Sequence, residues 1–71
     1  MPHVTVHIVP GHSEEEKQRL AQKLHQTMKQ ELNMDGSLIS VAIREVDAES
    51  WTAFIHTVPD FYVYPEYLKT D

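Results

Sequence analysis

The sequence contains no cysteine. Disulfide bonds and thiolate metal sites are therefore excluded, and this composition fits a reducing compartment such as the cytoplasm. A chain of 71 residues forms a small domain, and a core of that size provides only marginal stability by itself. We interpret residues 1–71 as one domain. Because no disulfide can supply the missing stability, we expect a second copy of the chain to supply it.

Long apolar segments and clusters of basic residues are also missing. No apolar run approaches the ~20 residues that a membrane-spanning helix requires, and the basic and then apolar start of a secretory signal is absent. The chain has 6 Lys and Arg against 11 Asp and Glu, and its net charge is −5. We therefore expect neither nucleic acid nor a membrane as a partner.

Alternating hydrophobicity from residue 3 onward predicts a β-strand. Val4, Val6 and Ile8 face one side of it, because successive side chains of a strand point to opposite faces. The residues that face the other side are His3, Thr5, His7 and Val9. Pro10 and Gly11 then end the strand.

A helix is predicted after this break. Ser13 is its N-cap, and Glu16, three residues later, completes a capping box. Apolar residues then recur at helical spacing and form a stripe that we expect to be core. The stripe consists of Leu20, Ala21, Leu24, Met28 and Leu32. The helix is predicted to stop in segment 33–37, which contains Gly36.

Residues 37–46 predict a second strand. Its apolar side chains face one way, and Ser40, Ala42 and Arg44 face the other. Two strands joined by a helix of roughly 20 residues form a β-α-β unit with parallel strands. The helix covers one face of the sheet, and the other face is predicted to have no partner within the chain. Since a two-stranded sheet with a bare face is unstable, we expect a two-fold homodimer to cover it.

All aromatic residues (Phe, Trp and Tyr) lie in the last third of the chain, from Trp51 onward. Residues 47–51 are typical of a short helical turn, and Pro59 and Pro65 interrupt regular structure beyond it. Tyrosine and tryptophan suit an interface or the wall of a pocket. For the tyrosines we favour an interface or core position, whereas for Trp51 a pocket wall is an equal alternative.

The 5 histidines raise the question of a metal site. His3 and His7 share a strand face, but four residues of extended chain place them about 13 Å apart. Zinc-bound nitrogens lie ~2 Å from the metal, so these two side chains do not share an ion within one chain. We therefore predict no metal site and expect His7 to lie at the subunit interface.

Pro2 directly precedes the first strand. If Met1 is removed, the Pro2 ring nitrogen becomes a free secondary amine at the end of a rigid strand. An α-amino group titrates at roughly 8, and burial lowers its pKa further because desolvation penalises the cation. Such an amine is a general base at neutral pH. The alternative is that Pro2 only begins the strand.

In their order and spacing, these features resemble the 4-oxalocrotonate tautomerase family. They are Pro2, the alternating strand through Ile8, the break at Gly11, the helix start at Ser13 and a second strand that ends at Glu45. The resemblance implies an α+β fold: a β-α-β subunit with a two-stranded parallel sheet, one long helix and a short C-terminal helical and aromatic tail, completed by dimerisation. Segments 32–33, 37–42 and 49–51 are similar to the dimeric PptA branch of the family.

The resemblance also implies a cytoplasmic isomerase that works without a cofactor. Such enzymes move a proton between the carbon and oxygen of enol and keto acids. The amino-terminal proline, exposed after loss of the methionine, is their catalytic base.

The sequence departs from the family pattern where the substrate is held. His12 and Ser40 stand where the founding enzyme has arginines that grip the carboxylates of a dicarboxylic substrate. Trp51 matches the phenylalanine that keeps the proline amine uncharged, and Arg44 remains as a carboxylate ligand. The resemblance thus implies Pro2 as the catalytic residue and Trp51, Ser40, Arg44 and His12 as substrate-binding residues. An exposed loop position for His12 and a cross-subunit salt bridge for Arg44 are the alternatives.

These observations predict enol–keto isomerisation of a 2-keto or enol monoacid, such as a phenylenolpyruvate-like compound, with Pro2 as general acid and base. One alternative is a non-catalytic dimeric scaffold or binding protein that retains Met1. Another is a Pro2-dependent hydratase or dehalogenase that acts on unsaturated acids. That reaction needs a group that activates water, and the sequence shows no obvious carboxylate near Pro2.

Overall fold

The computed structural model describes residues 1–69 of the chain. Strand β1 (His3–Ile8) is followed by the long helix α1 (Glu14–Glu31) and by strand β2 (Ser40–Glu45). The two strands pair in parallel to form a two-stranded sheet. The predicted β-α-β arrangement with a parallel sheet is confirmed.

The register of the sheet places His3 opposite Ser40 and Ile8 opposite Glu45. Paired residues of parallel strands point to the same face, so the two predicted faces of each strand coincide across the sheet. One face carries valine and isoleucine side chains. The other carries the pairs His3–Ser40, Thr5–Ala42 and His7–Arg44.

Both ends of α1 are closed by local hydrogen bonds. The Ser13 hydroxyl accepts from the Glu16 backbone N–H at 3.1 Å, and the Ser13 N–H donates to the Glu16 carboxylate at 2.9 Å, which confirms the predicted capping box. At the other end Asn33 adopts a positive φ of 50°. Its N–H and that of Met34 donate to carbonyls of the last helical turn, so the helix stops in the predicted segment at a left-handed asparagine.

A lysine joins α1 to the end of β2. The Lys17 ammonium lies 2.8 Å from a Glu14 carboxylate oxygen and 3.1 Å from one of Glu45. These hydrogen bonds, first that with Glu14 and then that with Glu45, raise the pKa of Lys17 above its ordinary value. The carboxyl end of β2 is thereby tied to the first turn of α1.

Strand β2 begins at Ser40, three residues later than predicted. Residues Gly36–Leu38 form a 3-10 turn instead of extended chain. The Asp35 carboxylate accepts from the Ser37 N–H at 3.0 Å, and the Ile39 N–H donates to the Gly36 carbonyl at 3.1 Å. These bonds use backbone groups that a longer strand would need.

The aromatic segment contains more helix than predicted. Helix α2 (Ala48–Ile55) continues beyond Trp51, and a 3-10 turn follows at Glu66–Leu68. The Phe54 ring of α2 lies 4.5 Å from the His7 ring on the sheet. The expectation that this face has no partner within the chain is therefore wrong at His7. Only residues 46 and 47 separate β2 from α2, which keeps the helix next to the sheet.

Few side chains are buried by the chain alone. Among residues 1–69 only Ile39 and Ile55 are buried, each 8% exposed. The predicted apolar stripe of α1 is half-buried in its middle, but Leu20 is 39% and Leu32 52% exposed. The expectation that the whole stripe is core is wrong at both ends.

No helix within residues 1–69 is both long enough and apolar enough to cross a membrane.

Replacing Gly36 with alanine should destabilise the fold. A Cβ at this position would lie 2.8 Å from His25 Cε1, and the His25 ring cannot move away without losing its 2.8 Å hydrogen bond to the Gly36 carbonyl. We expect Gly36→Ala to lower the free energy of unfolding by about 1–3 kcal/mol, measured by urea denaturation at fixed protein concentration. Ser37→Ala, in the same turn and exposed, is the control. Equal stabilities of the two variants would contradict the steric argument.

The capping box should make stability depend on pH in the acid range. The hydrogen bond from the Ser13 backbone holds the pKa of Glu16 below its ordinary 4.5. Because the folded state favours the ionised carboxylate, the stability that Glu16 contributes is present above pH 4.5. This stability is lost as the pH falls through the lower folded-state pKa of Glu16. Melting temperatures should therefore fall less steeply in acid for Glu16→Gln than for the wild type. Glu15→Gln, which lies outside the capping box, should keep the wild-type slope; a wild-type slope in Glu16→Gln would refute the assignment.

Candidate functional site

Pro2 lies at the start of the sheet, next to Ser40. The Ser40 N–H donates to the Pro2 carbonyl at 3.2 Å, so the first backbone contact of β2 is made with the residue predicted to be catalytic. Pro2 is half-buried, whereas Met1 is 95% exposed. The Met1 side chain therefore contributes almost no packing, and its removal would cost the fold little.

A hydrogen-bonded cluster of three side chains occupies the same end of the sheet. The His3 ring lies opposite Ser40, and its Nδ1 is 2.6 Å from the Ser40 hydroxyl oxygen. Its Nε2 is 2.9 Å from the hydroxyl oxygen of Thr5, two residues along the same strand. Each ring nitrogen of His3 is thus paired with one hydroxyl group.

The sequence patterns and the family resemblance do not point to His3 or Thr5. Their spacing of two residues on one strand is visible in the sequence and predicts that they share a face. The contact between His3 and Ser40 depends on the register of two strands that are 37 residues apart along the chain. No short-range signal encodes that register.

Arg44 lies toward the other end of the sheet. It is opposite His7, and four residues of extended strand place it about 13 Å from Ser40. Arg44 is exposed, and within the described part of the chain it forms no ion pair. A guanidinium with five free donors is suited to bind a carboxylate.

His12 also lies beyond the far end of β1. Six residues of extended chain between Pro2 and Ile8 correspond to about 20 Å, and His12 follows Ile8 in the loop. Its Nδ1 is 3.8 Å from the Glu16 carboxylate, and its side chain is 55% exposed. The structure therefore agrees with the exposed loop position and separates His12 from Pro2 of the same chain.

Trp51 belongs to an aromatic cluster on α2. Its ring centroid is 5.7 Å from that of Phe54, which in turn contacts His7. The indole N–H donates to the Tyr67 hydroxyl at 2.8 Å. Neither Phe54 nor Tyr67 is singled out by the sequence patterns, because their contacts with Trp51 form only when α2 and the tail fold.

The predicted site residues thus fall into two groups within one chain. Pro2 and Ser40 lie at the start of the sheet. Arg44 lies toward its far end and His12 beyond that end, whereas Trp51 lies on α2 next to Phe54, which contacts His7. The structure brings Ser40 to Pro2, and the length of the strands separates Arg44 and His12 from it. Among residues 1–69 no group of three or more His, Asp or Glu side chains is placed to hold a metal ion.

Comparison with known proteins assigns the family. Residues 2–60 match the family described as tautomerase enzyme. A relative from Xylella fastidiosa (strain 9a5c), described as a probable tautomerase, is 43% identical over 51 residues. The aligned part covers 72% of this chain and 62% of the relative, so the chain spans less than two thirds of that protein's length. The family match includes Pro2, both strands and both helices. This chain belongs to the tautomerase enzyme family, which confirms the resemblance to the 4-oxalocrotonate tautomerases.

Proposed function

We propose that this chain is an isomerase that interconverts the enol and keto forms of a 2-keto acid, with Pro2 as general base. The observation that carries the proposal is the position of Pro2, half-buried at the start of β1 and bonded through its carbonyl to Ser40, in a chain of the tautomerase family. Removal of Met1 converts the Pro2 nitrogen from an amide into a secondary amine that accepts a proton.

The proposed reaction needs one base that also returns the proton. Neutral Pro2 takes a proton from the enol hydroxyl or from a carbon next to the carbonyl, and the prolinium ion returns it at another position of the conjugated system. No external acid is required, because the same nitrogen carries the proton between the two positions. Water must be kept from this nitrogen, since desolvation keeps the amine uncharged at neutral pH.

A monoacid substrate is part of the proposal. The chain has His12 and Ser40 where two arginines would grip a dicarboxylate, and Arg44 is its one candidate cation for a single carboxylate. The aromatic cluster of Trp51, Phe54 and Tyr67 supplies flat apolar surface for an aryl or simple alkyl substituent. A neutral hydroxyl and one guanidinium stabilise an enolate less than two guanidinium groups do, so we expect modest turnover.

A homodimer is also proposed, and the exposed surface supports it. The chain exposes 5876 Å², whereas a folded monomer of 8.2 kDa exposes about 4,500 Å². Its radius of gyration is 14.1 Å, against about 11 Å for a compact domain of this length. The excess surface, about 1,300 Å² per chain, exceeds the about 800 Å² that each partner buries in a standard interface.

A two-fold dimer would unite the two groups of site residues. When a two-fold axis stands perpendicular to the strands, the partner's sheet runs antiparallel, and the start of one sheet lies at the far end of the other. Pro2 and Ser40 of one protomer would then face Arg44, His12 and Trp51 of the other. The net charge of −5 and the lack of cysteine support a cytoplasmic enzyme without nucleic-acid or membrane partners.

Replacing Pro2 with alanine should abolish most of the activity. The Pro2→Ala variant would present a primary amine with a different basicity and no ring, so we expect kcat to fall by about 10²- to 10⁴-fold, measured from the absorbance of the enol form of an aryl 2-keto monoacid. Intact mass should show that Met1 is absent. Pro10→Ala, an exposed proline beyond β1, is the matched control. An unchanged rate in Pro2→Ala would reject Pro2 as the base, whereas an inactive protein that retains Met1 would favour the scaffold alternative.

Mixing two inactive variants should restore activity if each site is shared between protomers. In an exchanged mixture of Pro2→Ala and Arg44→Ala chains, half of the dimers are mixed and each mixed dimer has one intact site. About a quarter of wild-type activity should therefore return, by the statistics of two-fold assembly.

The matched control for this mixture combines Pro2→Ala with Ser40→Ala. Both residues belong to the same end of the sheet, so no mixed dimer contains an intact site and the activity should not rise above that of the separate variants. Recovery in the control, or none in the mixture that contains Arg44→Ala, would contradict the shared site. Light scattering gives the mass of the assembly independently, and a dimer has twice the 8.2 kDa of the chain.

A further inference from the structure

We propose that His3 is a positioning residue that holds the Ser40 hydroxyl as a hydrogen-bond donor to the carboxylate or enolate oxygen of the substrate. This inference rests on the proposed function, because the anion in question is the acid whose proton Pro2 moves. It assigns a role to a side chain that neither the sequence pattern nor the family resemblance identifies.

Ser40 lies beside Pro2 at the start of the sheet. Its N–H donates to the Pro2 carbonyl at 3.2 Å, so its hydroxyl lies within the length of a small acid from the Pro2 nitrogen. By the family resemblance, serine stands here in place of an arginine. A neutral hydroxyl is a weaker and more mobile donor than a guanidinium, and its orientation must be fixed for it to stabilise an anion.

The His3 ring lies between the hydroxyl groups of Ser40 and Thr5. Its Nδ1 lies 2.6 Å from the Ser40 hydroxyl oxygen and its Nε2 lies 2.9 Å from the Thr5 hydroxyl oxygen. All three side chains project from the same face, since His3 and Ser40 are opposite each other and Thr5 is two residues further along β1. The imidazole therefore bridges two hydroxyl groups and restricts the rotation of both.

The number of protons in this cluster decides what Ser40 can offer a ligand. A neutral imidazole has one N–H donor and one nitrogen that accepts. In one arrangement the Ser40 proton is donated to Nδ1, and the hydroxyl can then only accept from a ligand. In the other, Nδ1–H donates to the Ser40 oxygen, Thr5 donates to Nε2, and the Ser40 proton is free for an anion.

A bound anion selects the second arrangement, because only that one offers it a proton from Ser40. Thr5 makes the arrangement possible by satisfying Nε2, much as outer partners set the tautomer of a metal-binding histidine. The imidazolium form of His3, which donates from both nitrogens, also leaves the Ser40 proton free. In both forms the role of His3 is to present Ser40 as a donor beside Pro2.

A double-mutant cycle tests whether His3 acts through Ser40. We expect Ser40→Ala to lower kcat/KM by about 10- to 100-fold, as for a lost hydrogen bond to a charged group. His3→Leu should cause a similar loss in the same parameter, kcat or KM, as Ser40→Ala does. In the Ser40→Ala background, His3→Leu should cause no further loss.

Conservative variants separate positioning from a purely structural role. His3→Asn places an amide N–H where Nδ1 lies and should retain most of the activity. Thr5→Val removes the donor to Nε2 and should lower kcat/KM several-fold, Thr5→Ser should restore it, and Thr27→Val on the exposed side of α1 is the control. If His3→Leu does not fold, the Thr5 series carries the test.

Three results would overturn the proposal: wild-type kcat/KM in His3→Leu, additive losses in the double variant, or no rescue by His3→Asn. The proposed function fails in a different way, because full activity in Pro2→Ala rejects the catalytic base whatever the result of the cycle. Loss of activity in Pro2→Ala together with additive losses in the cycle rejects only the role of His3.

Discussion

The parallel pairing of β1 with β2 is the constraint on which the site depends. Because the strands run side by side in a fixed register, His3 meets Ser40 and His7 meets Arg44. Extended chain cannot shorten, so the distance between these two pairs stays near about 13 Å. The pairing thus decides which candidate residues can meet within one chain. It places a hydroxyl cluster beside Pro2 and leaves the one candidate cation, Arg44, too far away to share a small substrate with it.

The shortage of buried surface is the second constraint, and it also favours a partner chain. Within residues 1–69 only two side chains, Ile39 and Ile55, are less than a tenth exposed. Apolar positions such as Leu20 and Leu32, which the helical pattern assigns to a core, stay largely exposed. A partner chain would provide the missing cover. The same partner would supply the residues that the fold holds away from Pro2. Dimer formation would therefore both stabilise the fold and complete the site.

The hydrogen-bonding chemistry of Ser40 differs from that of an arginine. A guanidinium needs little help to bind a carboxylate, because its charge and its five donors are permanent. A serine hydroxyl has one proton, and whether that proton reaches a ligand depends on its neighbours. The His3 ring lies within hydrogen-bond distance of the hydroxyl groups of both Ser40 and Thr5. The indole N–H of Trp51 likewise donates to the Tyr67 hydroxyl.

The sequence by itself determined the elements and their faces. The alternation of residues 3–8, the capping box of Ser13 and Glu16, and the order strand, helix, strand are local features, and local sterics and hydrogen bonding suffice to specify them. Only the tertiary structure decided that Phe54 of α2 contacts His7 and that His3 meets Ser40. Those two contacts join residues far apart in the chain, and the register and packing that create them arise from the summed fit of many side chains. The spacing of residues along the sequence does not encode this combined fit.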